Sequence, residues 1–533
     1  MPVAAFDIII RGGTVYNGSG KRSQRADVGV LGDRIAAIGD LGQAEARTVI
    51  DASGLAVAPG FIDIHTHSEF FSLLAPGAES KVTAGVTTEL LGNCGGSAFP
   101  LRGEAKERSQ ETYSDYGLRI DWEDIDGYFT YAAVVGCSVN RASLTGHGTL
   151  RALTVGYDDT PPTRTQMEQM KRELADCLER GSVGLSSGLI YPPGCYARTE
   201  ELIELARVAA GYDALYASHV RGEGTTGVAA IAEHLRISRE AGIRSEIAHI
   251  KCAGQANWGN LPRYLELITE AQAQGVDVAA DRYPYVASST SLASVFPEWL
   301  HAGGIEAELG RLADPATREQ LRQAIRDQHG AGEEDYWQSV LVSYVSSAER
   351  KHLEGLRVSE AAERVGKAPV DAVMDLLLAE RSKVSAIFFS MSEENLKQIY
   401  SWPFVMIGSD AGVRSSEGPT RAGKPHPRSF GTPARFLGRY VREAKVVSLS
   451  EGVRKLTSLP AERIGLRKRG WLKKGYFADI VVFDPETVSD RATFADPFQY
   501  SVGFAEVLVN GVAVIRAGTH TGARPGRILR RGE

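Results

Sequence analysis

The sequence predicts an α/β fold: a (β/α)8 TIM-like barrel with a small β-sandwich domain built from both chain ends and an insertion between barrel strands 7 and 8. Three observations support this. Eight short apolar runs end in polar or small residues, helix-like segments separate them, and β-branched runs with Gly, Asn and Asp turns occupy both ends of the chain. Alternating strands and helices are typical of a parallel barrel.

The two chain ends carry the same turn-rich strand pattern. Residues 6–58 contain short β-branched runs between turns, and the pattern returns from Asp479 to Ile515. We therefore predict that residues 1–60 and 468–533 form one small β domain and that residues 61–467 form the barrel.

The apolar runs supply the predicted barrel strands. In chain order they are Phe61 to His67, Thr87 to Cys94, Leu144 to His147, Val183 to Tyr191, Ala214 to His219, Ser245 to His249, Val276 to Tyr283 and Phe404 to Asp410. Intervening segments with helical apolar spacing are Arg164 to Arg180, Thr199 to Tyr212, Val228 to Gly242 and Arg263 to Gly275.

The last two runs are separated by about 120 residues, far more than a usual connection. We predict an insertion over residues 286–400. Its helical stretches are Pro315 to Gln328, Ser359 to Val365 and Pro369 to Glu380. The sequence leaves its role open between a lid over a site and a purely structural excursion.

Length and charge limit the partners. A chain of 533 residues exceeds what one compact core usually supports, which agrees with a barrel plus a smaller unit. A net charge of −6 lacks the basic excess that nucleic acid binding needs. No stretch reaches the ~18 uninterrupted apolar residues of a membrane span, and Met1 to Gly12 contains no basic leader. We expect a cytoplasmic protein without nucleic acid or membrane partners, and an oligomer is compatible with the sequence.

The first apolar run ends in two histidines, His65 and His67, one residue apart. Residues two apart on a strand project to the same side, so both imidazoles can reach one cation beyond the strand's end. A lone histidine is more often a surface or hydrogen-bonded core residue, but the pair favours metal ligands.

Further ligand candidates end later strands: Cys94 the second, His219 the fifth, His249 the sixth and Asp410 the eighth. Singly, each has another interpretation: a hydrogen-bonded core histidine, an inert or nucleophilic thiol, or a turn aspartate. Together they lie at the end of the barrel where active sites form. Imidazole, thiolate and carboxylate suit Zn²⁺, whereas Ca²⁺ and Mg²⁺ prefer oxygen ligands.

With these residues the chain resembles the N-acyl-D-amino-acid deacylase (D-aminoacylase) family of the amidohydrolase superfamily. The motifs that carry the resemblance are Gly60-Phe-Ile-Asp-Ile-His-Thr-His, Gly92-Asn-Cys-Gly, Gly146-His-Gly-Thr-Leu-Arg, Gly188-Leu-Ile-Tyr-Pro-Pro-Gly, Ser218-His-Val-Arg, Asp281-Arg-Tyr-Pro-Tyr, Gly408-Ser-Asp, His426-Pro-Arg and Lys474-Gly-Tyr-Phe-Ala-Asp-Ile-Val-Val-Phe. The resemblance implies a tight zinc on Cys94, His219 and His249. It implies a second, weaker metal position on the histidine pair and Asp410.

The resemblance also implies roles in catalysis. Asp410 would act as both ligand and base, taking a proton from the attacking water and passing it to the leaving amine. Tyr191 would donate a hydrogen bond to the developing oxyanion, although a tyrosine before Pro-Pro also fits packing against the turn. The residues that match the family's carboxylate-binding positions are Lys251, Tyr283, Ser289 and Arg428. Ordinary solvated charges are the alternative for the two cations among them.

Substrate preference depends on a neighbouring segment. Family members that accept acidic substrates carry an arginine shortly after Tyr-Pro-Tyr, but here Leu292-Ala-Ser-Val-Phe-Pro-Glu-Trp offers no cation. We therefore expect hydrophobic side chains, lined by Val295, Phe296 and Trp299. The chain also has Ala411 where the family usually has glycine, which bears on the loop beside the site.

Taken together, the resemblance implies zinc-dependent hydrolysis of N-acyl-D-amino acids to a carboxylate and a free D-amino acid. Two alternatives stay open. One is an amidohydrolase acting on a cyclic amide or a dipeptide, and the other is a non-catalytic scaffold on the same fold.

Overall fold

The chain begins with five strands. A computed structural model describes residues 5–533, so the first four residues of the predicted β domain lie outside the described residues. The strands are β1 Phe6–Val15, β2 Gln24–Leu31, β3 Arg34–Gly39, β4 Ala46–Asp51 and β5 Ala56–Pro59. β1 is the centre of this unit, because it pairs antiparallel with β2 and parallel with both β4 and β5.

The predicted (β/α)8 barrel is confirmed. Its strands are β6 Phe61–Asp63, β7 Val86–Leu91, β8 Asn140–Ser143, β9 Thr145–Gly146, β10 Gly184–Gly188, β11 Leu215–His219, β12 Ser245–Ile247 and β13 Val278–Arg282, followed by the insertion strands β14 Ser288–Ser291, β15 Val340–Val345 and β16 Val384–Phe388 and the last barrel strand β17 Val405–Ile407. β8 and β9 form one strand interrupted at Leu144, so the barrel has eight strands, and its ladders are parallel.

The barrel closes between its first and last strands beyond their regular ends. The Asp410 amide donates to the His65 carbonyl at 2.8 Å, and Thr66 forms a parallel bridge with Ala411. Apolar residues from six barrel strands, with Val183 directly before β10, share one buried cluster: Ile62, Leu90, Leu144, Val183, Leu215, Ala279 and Met406. Closure therefore places two predicted site residues, His65 and Asp410, side by side.

Helices follow the barrel strands. Up to the insertion they are α1 Phe71–Leu74, α2 Glu79–Val82, α3 Gly103–Ser114, α4 Ile125–Val135, α5 His147–Thr154, α6 Arg164–Glu179, α7 Thr199–Ala210, α8 Gly227–Ala241 and α9 Leu261–Ala273. α6 shows why they form here. A capping box starts it, with the Gln166 amide donating to Thr163 Oγ1 at 3.3 Å, and its buried face carries Met170 and Leu174.

The insertion has its own core. It contains α10 Gly304–Ala313, α11 Pro315–His329, α12 Glu333–Gln338, α13 Val358–Val365 and α14 Pro369–Ala379, packed on the antiparallel sheet β14-β16-β15. The next helix, α15 Glu393–Ser401, overlaps the end of the predicted range 286–400. Its Leu396 and Ile399 pack in the cluster that holds Ile247 of the barrel, and the end of the insertion at residue 400 stays a prediction.

After the last barrel strand come α16 Arg428–Arg435, which continues as a π-helix through Phe436–Glu443, then α17 Leu449–Leu456 and α18 Ser458–Ile464. In the part of the chain that the structure describes, no helix combines the length and apolar character that crossing a bilayer requires.

The chain ends with β18 Ile480–Phe483, β19 Phe504–Val509, β20 Val512–Arg516 and β21 Thr519–His520. β18 pairs antiparallel with β5, which joins both chain ends in one nine-stranded sheet. Ile10 and Val30 from one end share a buried cluster with Ile480 and Leu508 from the other. The β domain is thus built from both ends, as predicted.

The last residues do not all stay with this sheet. The Arg141 amide of β8 donates to the Arg527 carbonyl at 2.9 Å, and the Arg531 amide donates to the Gly181 carbonyl at 3.0 Å. The tail therefore packs against the barrel, and the predicted boundary at residues 468–533 stays a prediction.

A buried histidine on α8 makes the barrel acid-sensitive. His234 stacks on Tyr216 of β11, and its Nε2 lies 3.1 Å from Ser245 Oγ of β12. Burial lowers the pKa of His234 to about 3. Between that value and ~6.5 the unfolded chain binds a proton that the folded protein does not, so the free energy of unfolding falls by about 1.4 kcal/mol per pH unit on acidification.

We expect His234→Phe to reduce this acid sensitivity, because the ring stack is kept and the titrating nitrogen is removed. The measurement is urea unfolding at pH 7.5 and pH 5.0. The exposed His352, changed to Phe, is the matched control and should retain the wild-type pH dependence. An unchanged pH dependence in His234→Phe would contradict the prediction.

Candidate metal centre

Cys94 lies at the centre of three imidazoles. Its Sγ is 3.3 Å from His65 Nε2, 3.5 Å from His249 Nε2 and 3.7 Å from His219 Nδ1. These side chains come from the ends of four different barrel strands, so the parallel barrel alone brings them together.

Asp410 completes the cluster on the side of the histidine pair. Its Oδ1 is 3.0 Å from His67 Nε2 and 3.5 Å from His65 Nε2. One donor atom from each of His65, Cys94, His249 and Asp410 lies within 4.8 Å of the others. All six predicted ligand residues therefore gather at one mouth of the barrel, with His65 between the sulfur and the carboxylate.

The spacing of these donors fits a zinc ion. Zinc bonds of about 2.0–2.3 Å at tetrahedral angles separate neighbouring donors by roughly 3.3–3.8 Å. The three distances around the Cys94 sulfur, 3.3, 3.5 and 3.7 Å, match that range. A thiolate among imidazoles is also a donor set that Ca²⁺ and Mg²⁺ do not select.

Three of the six residues have strained backbones. Cys94 and Asp410 each have a φ of 52°, and His249 has a φ of 37°. Left-handed conformations of such residues cost on the order of 1–3 kcal/mol each and persist where the surroundings impose them. The His249 amide, for example, donates to Asp281 Oδ2 at 3.0 Å. Three strained residues that lie together in space are typical of a functional site.

Two carboxylates behind the cluster were not among the predicted site residues. Asp281 Oδ2 is 3.1 Å from His65 Nδ1, and Glu223 Oε1 is 3.1 Å from His249 Nδ1 and 3.6 Å from His219 Nε2. His65 and His249 thus each turn one nitrogen to a carboxylate and the other to the cluster, which orients the two rings, whereas the His219 contact is longer than a hydrogen bond. The available signals were the Asp281-Arg-Tyr-Pro-Tyr motif and the position of Glu223, four residues after His219.

Charges in the site stabilise the ionised forms. Burial opposes ionisation of Cys94, but His65 and His249 hold the pKa of the thiol well below its ordinary value. Burial likewise opposes ionisation of Asp410, and Arg428 with His249 keeps the pKa of that carboxyl well below its usual range. The cluster therefore presents a thiolate and a carboxylate at neutral pH.

A cavity of about 630 Å³ opens beside the cluster and is lined by His67, Cys94 and Asp410. Tyr191 also lines it, with its hydroxyl accepting a hydrogen bond from Thr290 Oγ1 at 3.1 Å. The predicted oxyanion donor therefore faces the space beside the predicted metal ligands.

The four predicted carboxylate-binding residues divide into two pairs. Arg428 and Ser289 line the cavity; Arg428 donates to Asp410 Oδ2 at 2.7 Å and to the Ser289 carbonyl at 3.1 Å. Lys251 and Tyr283 are not among the described residues that line the cavity. Lys251 bonds to Glu223, and Tyr283 is buried with its ring 4.6 Å from the Arg428 guanidinium.

The predicted hydrophobic lining is wrong. Val295 and Phe296 are buried in the insertion's own core, and Trp299 lies at the surface with 39% of its area exposed. None of the three is among the described residues of the cavity wall. They were assigned by their distance from Tyr-Pro-Tyr in the sequence, but the segment turns away to pack against the insertion helices.

Comparison with known proteins agrees with this site. The Amidohydrolase family profile matches residues 48–515. An N-acyl-D-glutamate deacylase of Alcaligenes xylosoxydans xylosoxydans is 39% identical over 99% of this chain and 97% of its own, and a D-aminoacylase of the same organism is 38% identical over 99% and 98%.

Solved structures extend the likeness to three dimensions. The crystal structure of N-acyl-D-glutamate deacylase from Bordetella bronchiseptica, complexed with zinc and a phosphonate inhibitor, aligns with a TM-score of 0.84 at 36% identity, covering 98% of this chain and 99% of that one. A D-aminoacylase with a binuclear metal center aligns at 0.82 and 35%, covering 99% and 100%. The chain therefore belongs to the amidohydrolase family, in its branch of N-acyl-D-amino-acid deacylases.

Proposed function

We propose that this protein is a zinc-dependent hydrolase that cleaves the amide bond of N-acyl-D-amino acids, releasing a carboxylate and a free D-amino acid. The observation that carries the proposal is the thiolate-centred donor cluster beside an ionised Asp410 at the wall of a substrate-sized cavity. The preference for the D-isomer rests on the relatives, which are named as acting on N-acyl-D-glutamate and as D-aminoacylase.

We assign the tight zinc to Cys94, His219 and His249 and a weaker second position to His65, His67 and Asp410. The donor spacing around the Cys94 sulfur supports the first assignment, and the contact of Asp410 with both histidines supports the second. Zinc in such a set supplies a Lewis acid that polarises the amide carbonyl and activates water.

Asp410 moves the proton. Its Oδ2 is held by Arg428 at 2.7 Å, so Oδ1, on the side of the histidine pair, is the oxygen that takes the proton of the attacking water. As the C–N bond breaks, the same oxygen delivers that proton to the leaving amine nitrogen. The low pKa of the carboxyl keeps Asp410 ionised, which is the form that can accept a proton.

Tyr191 donates its hydroxyl proton in a hydrogen bond to the carbonyl oxygen as negative charge accumulates there. Burial and the adjacent Cys94 raise the pKa of Tyr191 well above its ordinary value, so this donor keeps its proton. The substrate carboxylate meets Arg428 and Ser289 at the cavity wall. Lys251 reaches it only by leaving Glu223.

The experiment that tests the proposed function is a screen of N-acetyl-D- and N-acetyl-L-amino acids, hydantoin and dipeptides, with zinc content measured on the same preparation. We expect hydrolysis of the D-isomers alone, in a protein that retains zinc. Hydrolysis of hydantoin would favour a cyclic-amide hydrolase, and a protein purified without chelators that binds no metal would favour a non-catalytic scaffold. Cytoplasmic location and an oligomeric state stay predictions.

Two ligand variants test the division of the metals. Cys94→Ala should remove the tight zinc and the activity, because the sulfur is the donor that three imidazoles share. His67→Ala should leave one zinc bound, since His67 is assigned to the second position, where it contacts Asp410 at 3.0 Å. Elemental analysis after dialysis gives the zinc-to-protein ratio; equal loss in both variants would contradict the assignment.

Glu223→Gln tests whether the carboxylate behind the cluster supports metal binding. Replacing the carboxylate that faces Nδ1 of His249 should weaken zinc binding by about 10- to 100-fold. The affinity is measured by competition with a chromogenic chelator. Glu240→Gln, at an exposed position on α8, is the matched control and should bind zinc as the wild type does. An affinity that is unchanged in Glu223→Gln would show that Glu223 serves Lys251 alone.

A further inference from the structure

The cavity beside the metal centre contains an arginine without an acidic partner. Arg414 lies four residues after Asp410 and lines the same cavity. Its Nη1 donates to the Thr420 carbonyl at 3.3 Å, and its buried Nε has no hydrogen-bond partner. Across residues 5–533, no carboxylate oxygen forms an ion pair with this guanidinium; its neighbours are tyrosine hydroxyls, so its charge is not neutralised.

Arg414 is held in place from both sides. Its amide donates to Ser80 Oγ at 2.9 Å, and its carbonyl accepts from the Ser80 amide at 3.2 Å. The guanidinium carbon lies 4.3 Å from the centre of the Phe71 ring. Because backbone and side chain are both anchored, the arginine is presented in one orientation.

Hydroxyl groups surround the same part of the cavity. Tyr113, Tyr116 and Tyr344 line it near Arg414. Burial raises the pKa of Tyr116 to about 12 and raises the pKa of Tyr113 further, so both phenols stay protonated and can donate. A guanidinium with phenol donors in a partly water-excluded pocket is suited to a carboxylate.

The other cations at this cavity are already paired. Arg428 bonds to Asp410 at 2.7 Å, and Lys383 lies 3.3 Å from Asp115. In the proposed function Arg428 meets the carboxylate that every N-acyl amino acid carries. Arg414 is therefore left for a second negative group.

We infer that Arg414, together with the hydroxyls of Tyr113 and Tyr116, binds a second carboxylate of the substrate, so that the enzyme acts on dicarboxylic N-acyl-D-amino acids. This inference rests on the proposed function. The second carboxylate belongs either to the amino-acid side chain, as in N-acetyl-D-glutamate, or to the acyl group, as in N-succinyl-D-alanine. It replaces the expectation of a hydrophobic pocket, since the cation comes from the loop after Asp410 and not from residues 292–299.

The test compares kcat/KM for matched substrate pairs. One pair is N-acetyl-D-glutamate and N-acetyl-D-glutamine; the other is N-succinyl-D-alanine and N-butyryl-D-alanine. In Arg414→Gln, the charged-to-neutral ratio of one pair should fall about 10- to 100-fold, and the pair that responds identifies the source of the carboxylate. Arg421→Gln, exposed on the same loop, is the matched control and should keep both ratios.

Ratios remain interpretable when a variant loses overall activity. If Arg414→Gln does not fold, Arg414→Lys provides the readout: it keeps the charge but loses the guanidinium's paired donors, and the responding ratio should fall by roughly 3- to 10-fold. Ratios that stay unchanged while N-acetyl-D-glutamine is hydrolysed overturn this inference alone. Failure to hydrolyse any N-acyl-D-amino acid overturns the proposed function with it.

Discussion

The site depends on one buried lysine at the seam where the barrel closes. Lys81 Nζ donates to Asp63 Oδ2 at 2.8 Å, Ser409 Oγ at 2.9 Å and the Ala411 carbonyl at 3.0 Å, which ties β6 to the segment after β17. Burial opposes its charge, but Asp63 and Glu89 raise the pKa of Lys81 above its ordinary value. Loss of one partner of such a buried pair costs about 3–5 kcal/mol, so the seam is held firmly.

That seam explains the strained geometry of Asp410. Asp63 accepts from the Ser409 amide at 2.8 Å through one oxygen and from Lys81 through the other. Residues on both sides of Asp410 are thereby fixed, and Asp410 takes a left-handed φ of 52° between them. Its carboxylate is then directed at the histidine pair instead of continuing the strand. The buried charges beneath the site thus determine the orientation of the Asp410 carboxylate above it.

Much of this was predictable from the sequence, because the barrel converts strand order into position. Apolar runs located eight strands, and the residues ending them, Cys94 and Asp410 among others, had to meet at one mouth. Contacts between distant segments were not predictable. Asp281 bonds to His65 across 216 positions, and no local pattern reports such a partner. Likewise, the sequence predicted Val295 and Phe296 at the cavity wall, but both are buried in the insertion's own core.

The cavity wall differs physically from the metal centre. The wall forms where the insertion meets α3, and the ion pair between Lys383 and Asp115 that joins them is partly exposed. Such pairs contribute about 0–1 kcal/mol, far less than the buried contacts of Lys81. Substitutions in the wall can therefore change which substrate fits without disturbing the strained ligands. The candidate ligands lie at strand ends and the cavity wall is built from loops, which is why a sequence pattern located the first and misplaced the second.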